Sequence, residues 1–142
     1  MNNATLLAAL TFVMTSTALR AQTALSSTAL ECPPGEGSVR SRTLSSDSLS
    51  TSFLLCIHGG VKPHLHAHHT EHVHVLEGSG TMLLGDSIFA ISPGAFIAIP
   101  RGTPHAVRVS GAVPLRVISV QAPFFDGSDR VAVDVGTLWP NP

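Results

Sequence analysis

From residue 51 onward the chain is cut into short apolar runs, and none reaches the roughly ten residues that a helix needs. The runs are Phe53 to Ile57, Val73 to Leu76, Thr81 to Leu84, Ile88 to Ile91, Ala95 to Ile99, Ala106 to Val109 and Leu115 to Val120. Gly78-Ser79-Gly80, Gly85-Asp86, Ser92-Pro93-Gly94, Arg101-Gly102-Thr103-Pro104 and Ser110-Gly111 separate them. Val, Ile and Phe recur in the runs, and no helical period follows the first thirty residues. Turns every eight to twelve residues or so are the mark of an all-β sandwich or barrel. A barrel of about seven to nine short strands encloses a small cavity open at one end, and any chemistry belongs there.

At 142 residues the chain holds one domain, with room for a short appendage. A net charge of −1 with 12% charged residues leaves no basic footprint, which argues against a nucleic-acid partner. The 44% hydrophobic content is too high for a disordered chain. Tyrosine is absent, so no phenol serves as an acid or base.

Residues 4 to 19 are uncharged and mostly apolar, and Arg20 closes the run. The run falls short of the ~20 apolar residues of a membrane-spanning helix but matches the core of a secretory signal peptide. Cleavage sites fall after Ala18 or after Ala21. Residues 1–21 are therefore expected to be a removed leader, giving an exported chain, periplasmic or secreted, with no membrane association after removal. An organelle transit peptide is the alternative, and a cytoplasmic chain with a loose N-terminus is the bland reading. Residues 22–50, with Pro33-Pro34-Gly35 and Ser-rich sequence, read as a linker or edge segment, and residues 51–138 as the domain. In an oxidising compartment Cys32 and Cys56 could form one bridge tying the N-terminal segment to the first strand. Neither cysteine lies in a C-x-x-C pair, which leaves redox catalysis without support.

Seven of the eight histidines fall between His58 and His74. On a strand, residues two apart share a face, so His64 and His66 can both point into a barrel. Glu71 follows five residues after His66, across a turn, and His105 opens a later strand. Three imidazoles and one carboxylate suit Mn, Fe, Zn, Ni or Cu. By parity His72 and His74 face outward. His68 and His69 fall in a solvated turn, and His58 reads as structural.

These residues carry a resemblance. The segment His64-x-His66-x4-Glu71-x6-Gly78 resembles the first motif of the cupins, and Gly94-x5-Pro100-x-Gly102-x2-His105 resembles the second, with Val109 where its final Asn stands. The short interval from Gly78 to Gly94 is similar to that of small single-domain cupins. The resemblance spans about residues 53 to 125 and implies a cupin double-stranded β-helix, or jelly-roll, barrel. It implies metal ligation by His64, His66, Glu71 and His105, with manganese or iron as the ion. One register stays open: Gly60 lies six positions before His66, which favours His66 and His68 as the pair. The spacing to Glu71 favours His64 and His66, leaving His68 as the substitute. The tail from Gln121 to Arg130 resembles the ending of many small cupins, where terminal strands pack across a homodimer.

Val73 and Val75 beyond Glu71, and Val107 and Val109 beyond His105, are expected to make the cavity apolar, with help from Phe89 and Phe96. No arginine is placed by parity to clamp a carboxylate: Arg108 faces out and Arg101 lies in a turn. Val131, Val133 and Val135 alternate as a last strand. The resemblance implies a metal-dependent enzyme, most simply a dioxygenase-like oxidoreductase acting on a small chelating molecule. A non-catalytic ligand- or metal-binding module is the alternative, as is a metal-dependent isomerase or decarboxylase, because the fold does not select among them.

Overall fold

The computed structural model describes residues 24–139; the leader expected over residues 1–21 lies outside the described residues. Ten strands form two antiparallel sheets. They are β1 (Val39–Ser46), β2 (Thr51–Ile57), β3 (Gly60–His66), β4 (Thr70–Glu77), β5 (Ser79–Leu84), β6 (Ser87–Ile91), β7 (Phe96–Ile99), β8 (His105–Ser110), β9 (Leu115–Ala122) and β10 (Arg130–Ala132). One sheet runs β1-β2-β9-β4-β7 and the other β10-β3-β8-β5-β6. This is the all-β double-stranded β-helix that the spacing of turns and the cupin motifs led us to expect. No helix among the described residues is long and apolar enough to cross a membrane.

All seven apolar runs fall within or across strands β2 and β4 to β9. Residues 39–46, read as linker or edge, form the edge strand β1, paired along β2. The last strand is shorter than its alternating valines suggest. It stops at Ala132, and Val135 leads into a single 3-10 turn at Gly136–Leu138.

The alternation of β9 shows how the layers are built. Leu115, Val117, Ser119 and Gln121 are buried, while the residues between them are only half-buried. The core between the sheets gathers Val73, Val75, Ile97, Ile99, Met82 and Val117, among others. Each outer face carries a smaller cluster sealed by a terminal segment. Leu30 packs with Leu54 and Cys56 on one side, and Cys32 and Cys56 form a disulfide there. Trp139 packs with Leu83 and Ala106 on the other, under the guanidinium of Arg108.

Gly78, the last residue of the first motif, shows why that position takes glycine. Its φ is +77°, and an added Cβ would meet the Pro114 carbonyl oxygen at 2.5 Å and Leu115 Cα at 2.9 Å. A side chain here meets left-handed strain of roughly 1–2 kcal/mol together with a backbone collision that cannot be relieved by a rotamer. Gly111 has φ +104° but nothing within 4 Å of an added Cβ. Thermal denaturation is expected to show Gly78→Ala losing about 3 kcal/mol and Gly111→Ala markedly less. Equal losses would mean that the collision at Gly78 is relieved.

Candidate metal centre

β3 is the strand whose local irregularity makes the site. Its register with β8 pairs Val61 with Val107 but His64 with His105, so one extra residue is accommodated between Val61 and His64. Lys62 and Pro63 lie in this bulge, and a proline there forgoes a ladder donor at little cost. Strict alternation would put Val61 and His64 on opposite faces. The bulge lets both line the cavity, with His66 two residues beyond His64.

His105 reaches the same place from β8, entered through the turn Pro100–Thr103. Gly102 sits at φ +76° and donates its backbone N–H to the His66 carbonyl at 2.7 Å. The turn of the second motif is thereby fastened to the first. The candidate ligand nitrogens of His64, His66 and His105 all lie within 4.8 Å of one another, and all three residues are buried. These three side chains could bind a metal ion. Glu71 and Ser119 approach from the opposite sheet, on β4 and β9.

The backbone sets two of the imidazole tautomers. Nδ1–H of His64 donates to the Lys62 carbonyl at 2.9 Å, and Nδ1–H of His105 donates to the Thr103 carbonyl at 3.0 Å. With the proton fixed on Nδ1, Nε2 keeps its lone pair, as a metal ligand requires. Burial and the neighbouring His105 imidazole push the His64 pKa down to about 3, which keeps its ring neutral.

Glu71 completes the cluster. Its Oε1 accepts the Ser119 hydroxyl at 2.5 Å. Its Oε2 stands 3.4 Å from His66 Nε2 and 3.3 Å from His105 Nε2. Neither approach has hydrogen-bond geometry, and both Nε2 atoms are buried without a partner. Burial on its own would raise the Glu71 pKa. The Ser119 hydroxyl, bonded to Oε1, works against it and favours the carboxylate. The His105 lone pair faces the Glu71 Oε2 oxygen at 3.3 Å, and neither atom gives the other a hydrogen bond. A cation at this point satisfies both, so the donor set fits a divalent ion.

The structure thus brings His64, His66, Glu71 and His105 together and leaves His68 out. His68 is exposed, although its backbone N–H is held by Asp129. His74 is exposed, and His72 stacks on Phe96 on the outer face, as strand parity requires. His58 is exposed, and its backbone N–H donates to the Ser38 carbonyl at 2.7 Å. His69 departs from the solvated turn expected for it. It is buried, its Nδ1 hydrogen-bonds Asp129, and its Nε2 lies 2.8 Å from the Phe124 carbonyl. Asp129 also accepts the backbone N–H of Ala67 and His68. Burial would raise the Asp129 pKa, but the His69 hydrogen bond and those two amides bring it down to about 2. The same pairing raises His69 against the opposing effect of burial. Nothing in the sequence ties His69 to a residue sixty positions away, which is why parity and turn rules missed the pair.

The cavity over the histidines has a volume of about 270 Å³. Val73 and Val107 line it as expected, but Val75 and Val109 pack in or against the core without reaching it. Phe96 is exposed because Ile97 and Ile99 hold the inward positions of β7, and Phe89 is exposed although it shares the face of Ile91 on β6. The aromatic walls are instead Phe53 and Phe125, stacked edge to face at 6.1 Å, with Phe125 also edge-on to His66 at 5.3 Å. An arginine does line the cavity, contrary to the parity argument. Arg130 opens β10 opposite His66, and a last strand begun at Val131 leaves it out.

Two sheets wrapped as a double-stranded β-helix, with three imidazoles from one sheet facing a carboxylate from the other, define the class. The cupin domain family matches residues 54–121. That match, together with the double-stranded β-helix fold, supports a cupin superfamily protein. It is 38% identical over 72 residues to the protein MJ1618 of Methanocaldococcus jannaschii, covering 49% of this chain and 58% of that one. The chain thus spans little more than half the length of that relative. A double-stranded β-helix protein from Klebsiella pneumoniae superposes with a TM-score of 0.65 at 20% identity, covering 78% of this chain and 97% of that one. Streptomyces Pac13, solved with uridine, superposes with a TM-score of 0.61 at 15% identity, covering 73% and 85%. At such identities the likeness to the two structures is one of fold.

Proposed function

We propose that this chain is a metal-dependent cupin enzyme, a dioxygenase-like oxidoreductase acting on a small chelating organic molecule. The observation that carries the metal assignment is the buried Nε2 of His105 facing Glu71 Oε2 at 3.3 Å with its own proton fixed on the far ring nitrogen. His64, His66, His105 and Glu71 are the ligands in this reading. One carboxylate oxygen and no sulfur beside the imidazoles favour manganese or iron over softer ions.

An ion held by His64, His66, His105 and Glu71 would supply Lewis acidity and, if iron or manganese, access to O2. The protein's own part is orientation and exclusion of water. Carbonyls of Lys62 and Thr103 hold two rings in the ligand tautomer. Ser119 holds the Glu71 carboxylate by its distal oxygen. Phe53 and Phe125 cover the histidines with apolar edges, which keeps charge in the cavity poorly screened. A dioxygenase places both atoms of O2 in its product, so the reaction needs no further reductant.

Elemental analysis of the purified chain is expected to give about one manganese or iron per chain at the single site these donors form. Oxygen uptake should then depend on a chelating substrate such as a catechol, a flavonol or a diketone. A chain that carries no metal and takes none up defeats the reading. Turnover of such a substrate without O2 would move the chemistry to the isomerase or decarboxylase class.

A further inference from the structure

The metal cluster uses Ser119 of β9 but leaves the next inward residue of that strand, Gln121, without a role. Gln121 is 6% exposed and lines the cavity. It lies cross-strand from Glu71 on one side and from Thr51 on the other. Its Oε1 is buried and has no hydrogen-bond partner. A buried acceptor of this kind is costly to keep unless something entering the cavity donates to it.

Arg130 supplies the complementary charge. Its side chain lines the same cavity, and Nη2 comes within 3.4 Å of His64 Nδ1. That nitrogen's proton is already committed to the Lys62 carbonyl, so it offers the guanidinium no acceptor. A guanidinium beside an apolar cavity is the group best matched to a carboxylate, which it binds through two parallel N–H donors. Beyond the aromatic edges of Phe53 and Phe125, the deeper wall includes the aliphatic Val73, Ile99 and Val117.

We propose that Gln121 and Arg130 select a small 2-hydroxycarboxylate with an aliphatic side chain. Its carboxylate meets Arg130, its hydroxyl donates to Gln121 Oε1, and its aliphatic part fills the valine and isoleucine wall. The placement of hydroxyl next to carboxylate rests on the proposed function, in which the ligand presents an adjacent oxygen pair to the ion. Gln121 is then a specificity residue for the hydroxyl hydrogen, not a metal ligand.

Isothermal titration of the metal-loaded chain with 2-hydroxy-3-methylbutanoate and with its 2-methoxy ether tests this. Both acids can chelate, but only the first can donate to Gln121. The wild-type chain should bind the hydroxy acid about tenfold or more tightly than the ether, the worth of one buried hydrogen bond. Gln121→Met, of similar shape without the acceptor, should reduce that preference to about twofold or less. Arg130→Gln should weaken both acids by about tenfold while keeping the preference. Unchanged emission from Trp139, buried and the only tryptophan, reports that each variant is folded. Should Gln121→Met not fold, Gln121→Leu gives the same readout.

The proposal is overturned if the wild-type chain binds neither acid or does not discriminate between them. It is equally overturned if Gln121→Met keeps the preference or loses its metal. If the wild-type chain holds no metal, the proposed function falls. The same titration on the metal-free chain then decides the Gln121 assignment by itself.

Discussion

Replacing His105 by alanine should empty the metal site, while His74→Ala leaves it full. His105 is the only ligand contributed by β8, and its loss leaves His64 and His66 on one short strand with Glu71 across the cavity. Two imidazoles and one carboxylate are a weaker donor set than the three imidazoles and carboxylate of the whole site. Disturbing even the outer partners of a metal ligand costs about 10- to 100-fold in affinity, so removing the ligand itself should cost about 100-fold or more. Metal content after dialysis, measured on both variants side by side, reads the effect. His74 is exposed on the outer face of β4 and serves as the matched control. The register is tested in the same experiment. His64→Ala should lose metal and His68→Ala should keep it; the reverse pattern would put His66 and His68 in the site instead.

The second large effect belongs to Asp129, which binds no metal in this reading yet holds the turn between the ligand-bearing strands. Its carboxylate gathers the N–H groups of Ala67 and His68 and the ring of His69, the three residues that separate His66 from the start of β4. Asp129→Ala leaves those donors buried or half-buried without an acceptor, at about 1–3 kcal/mol for each one that water cannot reach. A fall of ~5 °C or more in the thermal midpoint is expected, with weaker metal binding because His66 and Glu71 flank the loosened turn. A variant with the wild-type midpoint would show that the turn holds itself.

The pH dependence has a defined sign. The Asp129 pKa is lowered on folding from 3.8 to about 2. Its contribution is therefore complete above about pH 4 and is lost as the pH falls through about 2. Acid titration of stability should show this loss in the wild-type chain and not in Asp129→Ala.

Strands β2 and β4 to β9 were legible because their short apolar runs, rich in Val, Ile and Phe, are split by Gly, Pro, Ser and Asp turns. The four residues of the cluster were legible because motif spacing and parity agree on them. Parity failed where the backbone leaves strict alternation. It could not foresee the bulge at Lys62 and Pro63, which turns Val61 inward together with His64. It also failed where a residue's role depends on a distant loop, as with His69 and Asp129. Arg130 was missed for a simpler reason: β10 begins one residue before its valines do. Gln121 reads in sequence as an ordinary polar residue near a strand end, and only its depth beside Glu71 shows that it faces the cavity.

The disulfide between Cys32 and Cys56 acquires a further meaning from the alternation of β2. Leu55 and Ile57 line the cavity, while Cys56 between them lies on the opposite face against Leu30. Slide β2 by one residue against its neighbours and every side chain changes face. The sulfur would then point at the histidines, with the whole sheet between it and Cys32. The bond can therefore close only when the strand turns the same face inward that also lines the cavity. It works as a latch keyed to the correct face: a chain that has closed it has, by that fact, aimed β2 correctly toward the metal site.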